Sequence, residues 1–187
     1  SSWSDSKAKE VVDRLAERGV PEDVALRVYT TRLLGQDPKL VLHGGGNTSV
    51  KTVATDILGE GHDVLCVKGS GWDMAYIEPE GLPAVKLRPL LRLRRLDRLS
   101  DEELVNFERS NLMDSSAPTP SIETLLHAFL PHKFVDHTHS TAVLSLTNQP
   151  NGKDLCREVF RDRAGIVPYV KPGFDLAKKA AAVFEKA

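Results

Sequence analysis

Residues 40–67 read LVLHGGGNTSVKTVATDILGEGHDVLCV. Three short apolar runs, Leu40 to Leu42, Thr48 to Val53 and Val64 to Val67, alternate with glycine-rich segments, the pattern of strands joined by tight loops. A sheet is therefore expected to begin near residue 40. Upstream, Val11, Val12, Leu15 and Ala16 recur at helical spacing, and a second helix is expected from Pro21, suited to a first turn, to Gly35, a natural stop. Downstream, Ser100 followed by Glu103 is a capping box that opens a helix through about Met113. Asp114 to Pro120 reads as a loop, and Ser121 caps a further helix to Leu130. Phe134 to His139 alternates between Pro131 and Ser140, which predicts a strand, and helices are expected over Gly152–Arg161 and Asp175–Lys186. Helices and strands mixed along one chain indicate an α/β layered domain.

The 187 residues, 41% of them hydrophobic, suffice for one substantial core, so residues 1–187 are expected to form a single domain. With 25 Lys+Arg against 26 Asp+Glu the net charge is -1, which gives no reason to expect nucleic acid or an acidic membrane as partner. Lys86 to Arg98 carries five arginines and one lysine, but its interleaved leucines make it an amphipathic, partly solvated segment. Cys66 and Cys156 lack metal or disulfide spacing and read as buried small hydrophobes in a reducing compartment. No run approaches the roughly 20 apolar residues of a membrane helix, and the expectation is a soluble, cytoplasmic protein.

The sharpest chemical signal is Asp136-His137-Thr138-His139. On a strand, His137 and His139 project to the same side and could converge on one ion, half of a zinc site that keeps a position open for water or substrate. Alone, His-x-His is equally well a solvated strand face. Glu123 lies just before this strand among residues suited to burial, and is readable either as dipole complementarity or as a ligand or base. His127 and His132 read as packing or surface residues. The second signal is His43-Gly44-Gly45-Gly46-Asn47-Thr48-Ser49, where glycines allow close approach and main-chain N–H groups could nest an anion. A comparable loop, Lys68-Gly69-Ser70-Gly71-Trp72, could close on the same phosphate. Either loop alone would pass for an ordinary turn, and neither fits a nucleotide-binding pattern.

Taken in order, His43-Gly-Gly-Gly-Asn-Thr-Ser, Lys68-Gly-Ser-Gly, Pro120-Ser-Ile-Glu123 and His137-Thr-His139 resemble the class II aldolase/adducin family over about residues 25 to 187. The segments VLHGGGNTSVK, LCVKGSGWD and HAFLPHKFVDHTHS look most like the aldolase part of bifunctional proteins that join a rhamnulose-1-phosphate aldolase to a short-chain dehydrogenase. The resemblance implies a three-layer α/β/α domain with a central, mostly antiparallel sheet, assembled as a tetramer with active sites between subunits. It implies zinc, or another divalent metal, on His137, His139 and a further histidine, with Glu123 as ligand or acid/base. Gly46, Asn47, Thr48, Ser70, Gly71 and Ser121 would hold the substrate phosphate, although Ile122 stands where a second serine often follows. The implied activity is cleavage of a ketose 1-phosphate to dihydroxyacetone phosphate and an aldehyde. The same family holds epimerases, dehydratases and the non-catalytic adducin-like modules. Its last metal histidine lies in a His-Gly motif beyond the point matched by Phe184, and the sequence reaches Ala187 without one. The expectation is therefore a C-terminally truncated chain, itself weak in metal binding and inactive, from a parent that is an enzyme.

Overall fold

A computed structural model describes residues 2–186. Two helices lead, α1 (Asp5–Ala16) and α2 (Glu22–Gly35), with the Ser4 hydroxyl capping the first and Pro21 standing just ahead of the second. A hairpin follows, β1 (Asn47–Thr55) and β2 (Gly61–Val67), then two 3-10 turns, a short β3 (Ala84–Lys86), and helices α3 (Leu87–Leu93), α4 (Asp101–Ser110) and α5 (Thr124–Phe129). Strand β4 (Phe134–His137) precedes α6 (Thr141–Thr147), α7 (Gly152–Phe160) and α8 (Phe174–Phe184).

The sheet order is β3-β2-β1-β4, with every pairing antiparallel. Alternation along β2 sends successive side chains to opposite faces. Val64 and Cys66 pack with Leu15, Val28 and Ile77 from the α1–α2 side. Leu65 and Val67 pack with Leu90, Leu104, Leu125 and Ala177 from α3, α4, α5 and α8. The result is a three-layer α/β/α arrangement with a core on each side of the sheet. Each fully buried aliphatic side chain contributes roughly 1.5–3 kcal/mol, so this two-sided strand anchors both layers.

Several local expectations hold and others shift. Ser100 and Glu103 form the complete capping box of α4, which ends at Ser110 rather than near Met113. Leu40 to Leu42 is a turn, not a strand. Asp37 accepts main-chain bonds from Leu40 (2.9 Å) and Val41 (3.0 Å), and curls the segment before it can extend. The helix expected from Ser121 begins at Thr124, with Glu123 at its N-cap position. The strand expected to reach His139 stops at His137, because beyond it the N–H groups of His139 and Thr141 bond instead to the Leu40 and Lys39 carbonyls. The arginine-rich segment starts at the last residue of β3 and contributes α3, whose Leu90 and Leu93 are buried.

The C-terminal end of α5 is held by a side chain from the sheet. Lys51 Nζ donates to the carbonyls of His127 (2.9 Å), Leu130 (2.7 Å) and His132 (2.7 Å), groups that a helix end leaves without partners. Lys51→Met is expected to lower unfolding free energy on the order of 2–3 kcal/mol, the cost of stranding such acceptors. Urea denaturation checks this, and a loss below about 0.5 kcal/mol would show that water takes over the role.

Candidate active site

Three segments meet at the N-terminal end of β1 through main-chain bonds. Lys68 N–H donates to the Thr48 carbonyl (3.0 Å), Ser121 N–H to the Lys68 carbonyl (3.2 Å) and Ser70 N–H to the Thr119 carbonyl (2.9 Å). These bonds bring Asn47, the 69–71 turn and Ser121 together, while the pairing of Asn47 with His137 adds β4. Two motifs far apart in sequence therefore share one end of the sheet.

The triple glycine is shaped first by close approach. A Cβ on Gly45 would lie 3.0 Å from the Leu42 carbonyl and 3.3 Å from His139 Nδ1, and one on Gly46 would lie 2.8 Å from the His137 carbonyl. Gly46 also has φ 67°, a backbone region that side chains disfavour. Gly46→Ala is expected to cost about 1–3 kcal/mol of stability through backbone strain and overpacking against His137. Chemical denaturation measures it, and an unchanged midpoint would mean that the His137 segment yields freely.

Lys68 is almost fully buried, and its Nζ donates to the carbonyls of Trp72 (2.7 Å) and Gly44 (3.3 Å). It ties the two glycine loops together. Ser70 and Gly71 are exposed on their turn, and Gly71 has φ 80°. The Thr48 hydroxyl is buried and lies 2.6 Å from the Thr31 hydroxyl, so it supports the loop from behind rather than facing a ligand.

At the centre, Glu123 Oε2 accepts from Asn47 Nδ2 (2.7 Å), and Asn47 Nδ2 also donates to Ser121 Oγ (3.1 Å). Both Asn47 amide hydrogens are thus engaged by Glu123 and Ser121. Ser121 Oγ accepts a second bond from Glu123 N–H (3.2 Å), so its own hydrogen is the one left for a ligand. Behind Asn47, the fully buried His127 places Nε2 against Asn47 Oδ1 and Nδ1 2.8 Å from Ser49 Oγ. Burial, reinforced by His137, Lys51 and Arg27 and opposed by Glu123, pushes the His127 imidazole down to about 3. For Glu123, burial alone would raise the carboxyl, but His137 and the Asn47 amide outweigh it and hold the group below the ordinary carboxylate value.

His137 Nδ1 is buried and lies 2.8 Å from Glu123 Oε2, yet it makes no hydrogen bond. The rings of His137 and His139 meet edge to face with centroids 4.8 Å apart, although His139 lies beyond the strand. An imidazole nitrogen paired with a carboxylate, with a second imidazole adjacent, supplies the ligand types that a zinc-like divalent ion takes. Among the described residues, the three that bring one donor atom each within 4.8 Å of one another are Asp56, Glu60 and His62, whereas Glu123, His137 and His139 do not converge that closely. There Asp56 Oδ1 accepts from Leu58 and Glu60 N–H (both 2.9 Å) and Oδ2 faces His62 Nε2 at 2.8 Å. That carboxylate is spent on locking the β1–β2 turn.

The expected residues therefore separate. Glu123, His137, Asn47 and Ser121 form one contact network, His139 adjoins it through its ring, and Gly46 backs it. The residue missed from sequence is His127. It lies four residues after Glu123, and that i, i+4 spacing was the available signal.

The family model described as Class II Aldolase and Adducin N-terminal domain matches residues 25–187. The chain is 42% identical over 173 residues to the uncharacterized oxidoreductase YuxG of Bacillus subtilis (strain 168), covering 92% of this chain but only 25% of that protein's length. It is also similar to the solved N-terminal class II aldolase domain of a conserved protein from Thermoplasma acidophilum, with 41% identity and a TM-score of 0.78, covering 89% of this chain and 76% of that one. With its core motifs gathered at one end of the sheet and nearly its whole length matched, the chain belongs to the class II aldolase and adducin family.

Proposed function

We propose that this domain is the aldolase part of a larger enzyme that reversibly cleaves a ketose 1-phosphate, of the rhamnulose 1-phosphate type, to dihydroxyacetone phosphate and an aldehyde. The observation that carries this reading is the Glu123 carboxylate, held at 2.7 Å by the Asn47 amide and facing the buried His137 Nδ1 at 2.8 Å. Glu123, His137 and His139 would hold zinc or another divalent ion, which supplies Lewis-acid stabilisation of the negative charge that builds on the substrate oxygens.

The chain's own residues account for the rest. In cleavage the C3–C4 bond breaks, its electron pair passes into the enediolate of the three-carbon product, and the C4 hydroxyl loses its proton as the aldehyde forms. Glu123 shuttles the proton that completes dihydroxyacetone phosphate at C3. The phosphate falls to the Ser121 hydroxyl hydrogen, the Ser70–Gly71 turn and the main chain at Gly46. The relative named as an oxidoreductase is about four times longer than the matched region, which supports a parent carrying a dehydrogenase-type domain. On the family resemblance we assign the parent a cytoplasmic, homotetrameric assembly; no helix among the described residues is long and apolar enough to cross a membrane.

The test supplies ketose 1-phosphates and zinc to the full-length parent and measures dihydroxyacetone phosphate. Its appearance with the aldehyde is the expected result. Conversion to an isomeric pentulose phosphate, or to a dehydrated product, would instead identify an epimerase or a dehydratase, and no conversion of any sugar phosphate would favour an adducin-like module.

A further inference from the structure

The buried chain behind Glu123 has a readable hydrogen-bond polarity. A carboxylate only accepts, so the Asn47 atom 2.7 Å from Glu123 Oε2 is the amide nitrogen. The opposite end of that amide, Oδ1, faces His127 Nε2 and also only accepts, so Nε2 carries the hydrogen. With Nε2 protonated, the Ser49 hydroxyl at 2.8 Å completes the line by donating to Nδ1. Ser49 and His127 are both fully buried, no carboxylate bonds to the ring, and its surroundings disfavour a charged imidazolium. The order is therefore Ser49 O–H to His127, His127 N–H to Asn47, and Asn47 N–H to Glu123 and Ser121. Each donor in such a line polarises the next.

We infer that His127 is a positioning residue for the reaction: in its Nε2–H tautomer it fixes the orientation of the Asn47 amide, and Asn47 aims its donor at one oxygen of Glu123. Without that N–H, Asn47 Oδ1 is a buried acceptor with no donor, and the amide is held only by its bonds to Glu123 and Ser121. The arrangement also divides the labour of Glu123. Oε2 is occupied by Asn47 and faces His137, whereas Oε1 makes no hydrogen bond among the described residues and is the oxygen open to carry the reacting proton. Acting two hydrogen bonds from the reacting atoms, His127 touches no substrate.

This inference rests on the proposed function for its catalytic consequence but not for its geometry, and the experiment separates the two. Long-range proton–nitrogen correlation spectra of the 15N-labelled chain are expected to show a pyrrole-type Nε2 and a pyridine-type Nδ1 for His127. The reversed tautomer, or two pyrrole-type nitrogens, would overturn the inference whatever the enzyme's activity. Two variants then separate positioning from packing. His127→Gln keeps a donor where Nε2 stands, and should leave the Asn47 side-chain amide signals near their wild-type positions. His127→Asn reaches only the Ser49 side and should displace them. In the parent enzyme, His127→Asn is expected to lower kcat about 10–100-fold with a smaller change in KM, the usual cost of losing such support, and His127→Gln to recover most of it. Equal spectra and equal kcat losses in the two variants would reduce His127 to a packing residue. Displaced Asn47 signals in a parent that turns over no ketose phosphate would uphold the positioning and refute the proposed function.

Discussion

Glu123→Gln in the full-length parent is expected to reduce turnover of the ketose 1-phosphate about 10²- to 10⁴-fold, the contribution of a positioned acid/base, while metal is retained in part through His137, His139 and the glutamine oxygen. Glutamine keeps an oxygen to accept from Asn47 and to face His137, so neither the 2.7 Å bond nor the turn at Ser121 needs to rearrange. What disappears is the group that exchanges a proton. Kinetics and elemental analysis on the same preparation check both halves. Undiminished turnover would remove Glu123 from the chemistry, and lost metal would recast it as chiefly a ligand.

Glu108→Met is expected to raise stability and to flatten its pH dependence. Glu108 is fully buried on α4, neither carboxyl oxygen makes a well-formed hydrogen bond among the described residues, and burial, only partly offset by the nearby Thr124 hydroxyl, pushes the carboxyl up to about 8 from an ordinary 4.5. The folded chain thus holds this proton more tightly than the unfolded chain. Stability is greatest below the unfolded value of 4.5 and declines as pH rises toward 8, by up to ~1.4 kcal/mol per pH unit. Methionine removes the titration together with the unpaired polar atoms, so the variant should gain on the order of 1–3 kcal/mol at pH 8 and less at pH 5. Denaturant midpoints at the two pH values decide it. An equally steep pH dependence in the variant would mean that Glu108 is not the group responsible.

Features legible in the sequence were those with local causes. The Ser100–Glu103 box fixes the start of α4 within four residues, and the alternation of β2 sorts Val64 and Cys66 from Leu65 and Val67 without help from the rest of the chain. Leu40 to Leu42 misled because apolar character says nothing of the Asp37 turn that bends it. Helix α6 was not foreseen, and none of its residues is buried, so it carries no core-facing stripe from which to predict it. At the site, side-chain types were legible but their partners were not. Asn47, Thr48 and Lys68 all look like phosphate donors in a glycine-rich context, yet tertiary contacts spend them on Glu123 and Ser121, on Thr31, and on loop carbonyls. His127 reads as packing because its ligand-like neighbours, Ser49 and Asn47, lie 78 and 80 positions away.

The central claim, a divalent metal held beside Glu123, is tested most directly by elemental analysis of the purified chain and of a His137→Ala, His139→Ala double variant. The account predicts weakly held zinc in the chain, at most about one per chain, and its loss in the variant, since removing two of the proposed nitrogen donors leaves too few ligands for a zinc site. Zinc retained by the variant would place the ion elsewhere, with the Asp56, Glu60 and His62 turn the first place to look, and zinc absent from both would contradict the metal centre in this chain.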